Sequence, residues 1–445
     1  MSHHHDVSRS YELYERAGQL IPGWTQLISR RASSAANGVS PVYALRAKGS
    51  RFVDVDENEY IDWVNAVGAI CLGHADDAVD NAVKEQISRG SLYTVNSPLE
   101  IDLAELLIET IPSAEMVRYC KGGGDACAVA ARIARGTTGK DKILICGYHG
   151  WQDWYQAANH GVDPETGEFP FAGIEPIGVP KALAGTIIPF PYGDANYVED
   201  LLKEHRGEVA GIMMEPLRTE LPPRGYLETV QKLARAHEAI LIFDEVSCGW
   251  RSRIGGVQEL LGITPDMTAF AKCMSNGYPM GAVVGSREVM APASRMFISS
   301  SYWSDNVGLI ATITTINELK RRDSAARFEE IGESLRTAVN GALSASGLSG
   351  RVVGLSFNPQ IKLDLQDESL RPKVHTLFVQ EMARRGVHCG MGFKASLANN
   401  EEDIQQTTEA AAEVFALIKQ TLDAGTIDTV LVCDPQRDPF RRLVR

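Results

Sequence analysis

Between about residues 66 and 316 the chain alternates short apolar runs with amphipathic helical patterns, and this alternation restricts the fold more than any other feature. The runs fall at 116–120, 142–146, 209–214, 239–243 and 267–271. Helical patterns lie between them, at 125–135 and at 227–238, where Leu227, Val230, Leu233 and Ala234 recur at helical spacing. Strand, helix, strand order predicts an α/β domain with a mainly parallel sheet covered on both faces. Ligands of such a sheet sit at the carboxyl ends of its strands.

Two of those ends carry chemistry. Asp244 closes the run 239–243, and Lys272 closes the run 267–271 just before the loop 276–281, NGYPMG. An ammonium beside an apolar run is costly to desolvate unless its charge is neutralised or its nitrogen is bonded, and a Schiff base to an aldehyde cofactor does this. A carboxylate nearby has a matching task, because its charge keeps a pyridine nitrogen protonated and lets the ring accept electrons. The pair points to pyridoxal 5'-phosphate (PLP). Either residue alone reads as a solvated loop edge; the two in order, flanked by Gly and Pro, do not.

A cofactor phosphate needs a binding place, and the segment KGGGD, 121–125, lies between the strand ending at Cys120 and the helix that follows. Glycines let backbone N–H groups approach an anion, and the helix N-terminus adds partial positive charge. At the end of another strand CGYHGW, 146–151, brings an aromatic ring, an imidazole and an indole to the same rim. Tyr148 is placed to stack on a pyridine ring and hold it against Val246. Nothing local decides whether His149 is catalytic or structural.

These segments carry a family resemblance. FDEVSCGWR (243–251), AKCMSNGYPMGA (271–282) and YHGWQD (148–153) resemble the signature blocks of class III aminotransferases of PLP fold type I. Within that family the chain is most similar to the glutamate-1-semialdehyde 2,1-aminomutase branch, through AKGSRFVDVD (47–56), LGH (72–74) and SLANNEEDI (396–404). The resemblance runs from about residue 21 to residue 424. It implies that Lys272 bonds the cofactor and shuttles a proton to its C4′ carbon, that Asp244 partners the pyridinium, and that Val246 and Tyr148 flank the ring. Gly123 and Gly124 match the phosphate loop, although the family's hydroxyl is missing at Gly124. Ser301, in SSSYW (299–303), matches a threonine that relatives offer to the partner subunit's phosphate, which implies a homodimer with a shared site. Arg30 matches the branch's carboxylate-binding arginine. Trp151 replaces a smaller or polar residue, and NAVGA (65–69) lacks the branch's tryptophan, so a different substrate is implied. DNVG (305–308) likewise departs from the family's pattern. Arg218, after MEP (214–216), is a second candidate anchor.

The resulting expectation is an aminotransferase that moves an amino group from a small-molecule amine to a keto or aldehyde acceptor, passing through pyridoxamine 5'-phosphate. The alternative is an intramolecular aminomutase using the same residues. A non-catalytic binding protein of this fold is disfavoured because Lys272 and Asp244 are both present. Racemisation or decarboxylation would need an acid or base on the opposite ring face, for which His149 is the nearby candidate.

The remaining features bound the partners and the organisation. With 44 basic and 57 acidic residues the net charge is −13, which argues against nucleic acid or an anionic membrane surface. Arg384-Arg385 and Arg441-Arg442 are pairs only. Eight cysteines without CxxC spacing read as reduced, packed thiols, and together with the absence of a long apolar stretch they predict a cytoplasmic protein. The triplet His3-His4-His5 reads as a disordered end or cloning remnant, and no metal site is expected. Patterning divides the chain into an N-terminal segment (1–65) that is part of the small domain, a large cofactor-binding domain (66–318) and the C-terminal part of that smaller α+β domain (319–445). The Gly- and Pro-rich stretch 159–194 is expected to be a long loop covering the site.

Overall fold

The computed structural model describes residues 5–161 and 175–436, and the chain falls into two compact units, Asp77–Ala325 and one built from the segments on either side. These divisions come later in the chain than residues 65 and 318. Backbone pairing explains the first shift. Gly49 and His74 exchange N–H···O bonds of 2.9 and 2.7 Å, and Leu397 N donates to Cys71 O at 2.7 Å, tying this stretch to the flanking unit.

In that flanking unit β1 (Ala44–Lys48), β2 (Arg51–Asp54) and β3 (Glu59–Asp62) form an antiparallel meander. Asp54 closes the second turn by accepting from the amides of Asp56 and Asn58 at 2.9 and 2.8 Å. After β3 the backbone of Asn65, Ala66, Val67 and Gly68 takes φ of 48, 51, 59 and 80°. A left-handed run of this kind costs roughly 1–2 kcal/mol per non-glycine residue. Asp62 supports it by accepting from the amides of Val64 and Asn65, and Asn65 Nδ2 donates to Lys394 O at 2.6 Å. His5 is not a loose end: its ring packs edge-on against Tyr60, with centroids 4.9 Å apart. His3 and His4 lie outside the described residues.

The Asp77–Ala325 unit carries the large sheet. Its strands are β4 (Met116–Cys120), β5 (Lys142–Cys146), β6 (Ile187–Pro189), β7 (Val209–Met214), β8 (Ile240–Asp244), β9 (Met267–Phe270) and β10 (Gly281–Gly285). Their spatial order is β4-β10-β9-β8-β7-β5-β6. The pairs from β6 to β9 are parallel, and β10 runs antiparallel to both β4 and β9. Two of these strands lack a sequence signal. β6 lies inside the stretch expected to be loop, as a short edge strand ending in proline, and β10 is bracketed by glycines. Residues 162–174, the rest of that expected loop's richest part, lie outside the described residues.

Side chains of the central strands alternate between two cores. Ile143, Ile145 and Ile242 face the helix Gly123–Thr138, which contributes Ala126, Ala130 and Ile133. Leu144, Ile212, Leu241 and Phe243 face the helices Ala195–Glu204 and Tyr226–Ala236, through Val198, Leu202, Leu227 and Val230. Burial on both faces is why these strands read as continuous apolar runs.

The flanking unit is completed by the hairpin of β11 (Gly350–Val353) and β12 (Gln360–Leu363), and by β13 (Val387–His388), which joins β3 in parallel. The long helix Glu401–Ala424 closes it. Asn400 and Asp403 form a capping box at its start, and Trp63 Nε1 donates to Thr407 Oγ1 at 2.8 Å. Among the described residues no helix is long and apolar enough to cross a membrane.

Candidate active site

Asp244 is the last residue of β8, where the strand's carboxyl end opens out of the sheet, and it is 2% exposed. Its Oδ1 accepts from Val246 N at 3.0 Å. Its Oδ2 takes two further donors, His149 Nδ1 at 2.7 Å and Cys127 Sγ at 3.3 Å. A carboxylate presents about four lone-pair sites, so three donors leave room for one more. A protonated ring nitrogen is the kind of donor that fits.

His149 is committed by this contact. Because Asp244 accepts, Nδ1 carries the proton, and Nε2 is buried without a hydrogen-bond partner among the described residues. The imidazole therefore orients the carboxylate. It packs edge-on to Tyr155, whose hydroxyl donates to Gly147 O at 2.8 Å and so fixes the loop after β5.

Cys127, His149 and Asp244 offer ligand atoms within 4.8 Å of one another, a spacing a metal ion tolerates. Their chemistry points elsewhere. Burial, followed by the charge of Asp244, pushes the Cys127 thiol well above its ordinary range. As an S–H group it donates to the carboxylate and helps to hold it in place.

Lys272 follows β9, the strand beside β8, so the amine and the carboxylate leave adjacent parallel strands. The lysine is half-buried, at the start of the 3-10 turn Lys272–Ser275, with φ of 51°. Left-handed backbone at a non-glycine residue stores strain, and such positions cluster at functional sites. Lys272 Nζ donates to Ser247 Oγ at 2.7 Å, which brings it to the loop that follows Asp244.

The glycine loop lies against the same group of residues. The helix Gly123–Thr138 makes its first internal bond from Ala126 N to Gly122 O, so the amides of Gly123, Gly124 and Asp125 have no partner within the helix. A side chain at Gly123 is excluded by Val246, since a Cβ there would stand 2.6 Å from Val246 Cγ1. The glycine loop and the segment after β8 are thus in van der Waals contact. A buried carboxylate with room for one more donor, helix-start amides unpaired within their helix and an amine on the strand next to the carboxylate's fit a phosphorylated pyridine aldehyde.

The other sequence candidates differ in exposure. Tyr148 is 36% exposed and meets Tyr155 edge-on, with centroids 5.8 Å apart. Trp151 is 71% exposed. Ser301 is exposed in a turn, and Arg30 is exposed in the 3-10 turn Ile28–Arg30 of the flanking unit. Arg218 is half-buried, with one guanidinium nitrogen buried and unpartnered among the described residues. Sequence reasoning missed Cys127, Ser247 and Gln152. Cys127 carries a usable signal, since it stands in the first turns of the glycine-loop helix; Ser247 and Gln152 acquire neighbours only through folding.

Residues 33–415 match the protein-family model described as Aminotransferase class-III. The chain is 34% identical over 426 residues to 3-aminobutyryl-CoA aminotransferase of Cloacimonas acidaminovorans (strain Evry), covering 94% of this chain and 99% of that relative. It is 32% identical over 432 residues to glutamate-1-semialdehyde 2,1-aminomutase of Syntrophobacter fumaroxidans (strain DSM 10017 / MPOB), covering 93% and 98%. Among solved structures, the PLP internal aldimine form of the FumI protein of Sphingopyxis sp. MTA144 superposes with a TM-score of 0.84 at 25% identity, over 96% of this chain and 99% of that one.

Proposed function

The chain belongs to the class III aminotransferase family and has the PLP fold type I architecture, and from that premise we propose that it is a PLP-dependent aminotransferase acting on an amine donor and a keto or aldehyde acceptor. The observation that carries the reading is Asp244 and Lys272 leaving adjacent parallel strands, with Lys272 Nζ drawn to Ser247 at 2.7 Å. When bound, the cofactor supplies an aldehyde carbon open to amines and a ring that takes up the electron pair of a broken C–H bond.

The protein's residues then have distinct tasks. Asp244 holds a proton on the ring nitrogen, and His149 and Cys127 hold Asp244 in place. The amides at Gly123 and Gly124 would receive the phosphate, and Val246 and Tyr148 would flank the ring. Lys272 Nζ, freed when a donor amine takes its place, carries the proton from the substrate carbon. Arg218 and Arg30 are the candidate anchors for a substrate carboxylate. A homodimer in which Ser301 serves the partner's site is supported by the exposed Phe297 and Tyr302 on either side of Ser301, a surface suited to being covered. A cytoplasmic location is supported by eight free cysteines.

The test is the absorbance spectrum of the purified protein during addition of single amines and amino acids without acceptor. The panel includes 3-aminobutyryl-CoA, for which a relative is named. A visible band that one donor converts to a near-ultraviolet band, with release of a keto product, supports transamination. In Lys272→Ala the band and turnover should both be lost, turnover by about 10²–10⁴-fold; a variant that keeps both sinks the reading. The aminomutase alternative is favoured by the 32% identical relative of that name. It predicts isomerisation of glutamate-1-semialdehyde without a separate acceptor, and failure to isomerise removes it.

A further inference from the structure

The glycine loop lacks the hydroxyl that the sequence comparison leads one to expect at position 124, and the structure places another polar group in the vacated volume. A Cβ on Gly124 would stand 2.9 Å from Gln152 Oε1 and 3.0 Å from Gln152 Nε2. A Cβ on Gly150 would stand 2.5 Å from Gln152 Oε1 and 2.8 Å from the Gly124 Cα. Two glycines on separate segments therefore make room for one carboxamide. Gly123 is different, since its missing side chain makes room for Val246.

The carboxamide has a defined orientation. Trp151 N donates to Gln152 Oε1 at 3.2 Å, which turns the NH₂ group toward the helix start, where Nε2 meets Asp125 Oδ1 at 3.4 Å. An NH₂ group carries two hydrogens, so one remains after this long contact. The nearby cation does not supply the missing donor. Lys121 is engaged by Asp305 and by Pro279 O at 3.2 Å.

We propose that Gln152 is a phosphate ligand of the cofactor, its Nε2–H standing in for the absent hydroxyl beside the amides of Gly123, Gly124 and Asp125, which have no partner within their helix. The proposal rests on the reading of this site as a PLP site. It is consistent with the bare backbone at Gly124, since a Cβ there would stand 2.9 Å from Gln152 Oε1 and the carboxamide would have to turn aside. It also assigns a consequence to charge. Gln152 stands between an acidic side chain and the anion, so a neutral donor at this point separates two negative groups, and a carboxylate of the same shape would add a third.

The test is equilibrium titration of apoprotein with PLP and, separately, with pyridoxal, which has the same aldehyde and ring but no phosphate. Lost phosphate contacts weaken the first ligand and spare the second. Gln152→Ala should raise the Kd for PLP by about tenfold, and the isosteric Gln152→Glu by more, with the Kd for pyridoxal unchanged in both. Gly124→Ser alone should also weaken PLP through its clash with Gln152. The double variant Gly124→Ser with Gln152→Ala has space for the serine, and should bind PLP more tightly than Gln152→Ala alone. Equal weakening of PLP and pyridoxal, or no change in either, overturns the role of Gln152. A wild-type protein that binds PLP no better than pyridoxal instead overturns the cofactor reading beneath it.

Discussion

Asp244 owes its chemical character to three donors that the chain brings from different places. Val246 is two residues on, Cys127 belongs to the glycine-loop helix and His149 to the loop after β5. The strand-end position of Asp244 is legible in the sequence, because an acidic residue abruptly stops an apolar run. The contributions of Cys127 and His149 are not, because these residues are distant in sequence and share no pattern with Asp244. Asp244→Asn keeps the size and loses the charge, so the ring nitrogen would no longer be held protonated. We expect this variant to retain some PLP and to lose turnover by at least about a hundredfold, measured as kcat at saturating donor; near-normal kcat would exclude the assigned role. Position 124 shows the same limit: the sequence reveals an absent hydroxyl, while only folding reveals that Gln152 fills the gap.

At the level of elements, periodicity located the central strands, since a strand buried on both faces must be apolar throughout, and two of the helices between them, at 125–135 and 227–238. It failed at β6 and β10, for a common reason. Both are short, and proline or glycine at their ends resembles turn punctuation, so pairing with β5 or with β4 and β9 defines them rather than composition. The long helix Glu401–Ala424 is the opposite case, because its start is written locally. Asn400 Oδ1 accepts from Asp403 N at 2.9 Å, Asp403 Oδ2 accepts from Asn400 N at 3.2 Å, and Arg51 pairs with the same aspartate at 3.0 Å. Asn400→Ala should lower the free energy of unfolding by about 1 kcal/mol, read from denaturant curves. A loss within a few tenths of zero would mean that Arg51 holds this end without the cap.

At the scale of the whole molecule, one buried acid gives stability a pH dependence near neutrality. Glu245 follows Asp244 in sequence and accepts from Val257 N at 2.6 Å and from Gln258 N at 3.3 Å. Burial, only partly offset by these bonds, pushes its carboxyl up from 4.5 to about 7. The folded protein then binds more protons than the unfolded chain between those values. The stability this confers is fully present below about 4.5 and is lost as pH rises through about 7. Wild type should therefore lose more stability between pH 5 and pH 8 than Glu245→Gln does in the same denaturant titration, and parallel losses would refute the assignment. Across the molecule, the sequence by itself determined the α/β class and the family and pointed to Asp244 and Lys272 as candidates for cofactor chemistry, because strand burial and strand-end chemistry are local in the chain. Tertiary structure alone decided the divisions between units, the edge and antiparallel strands, the commitment of His149 to Asp244 and the carboxamide beside the glycine loop. Each of these depends on which distant segments meet, and neither periodicity nor composition encodes that meeting.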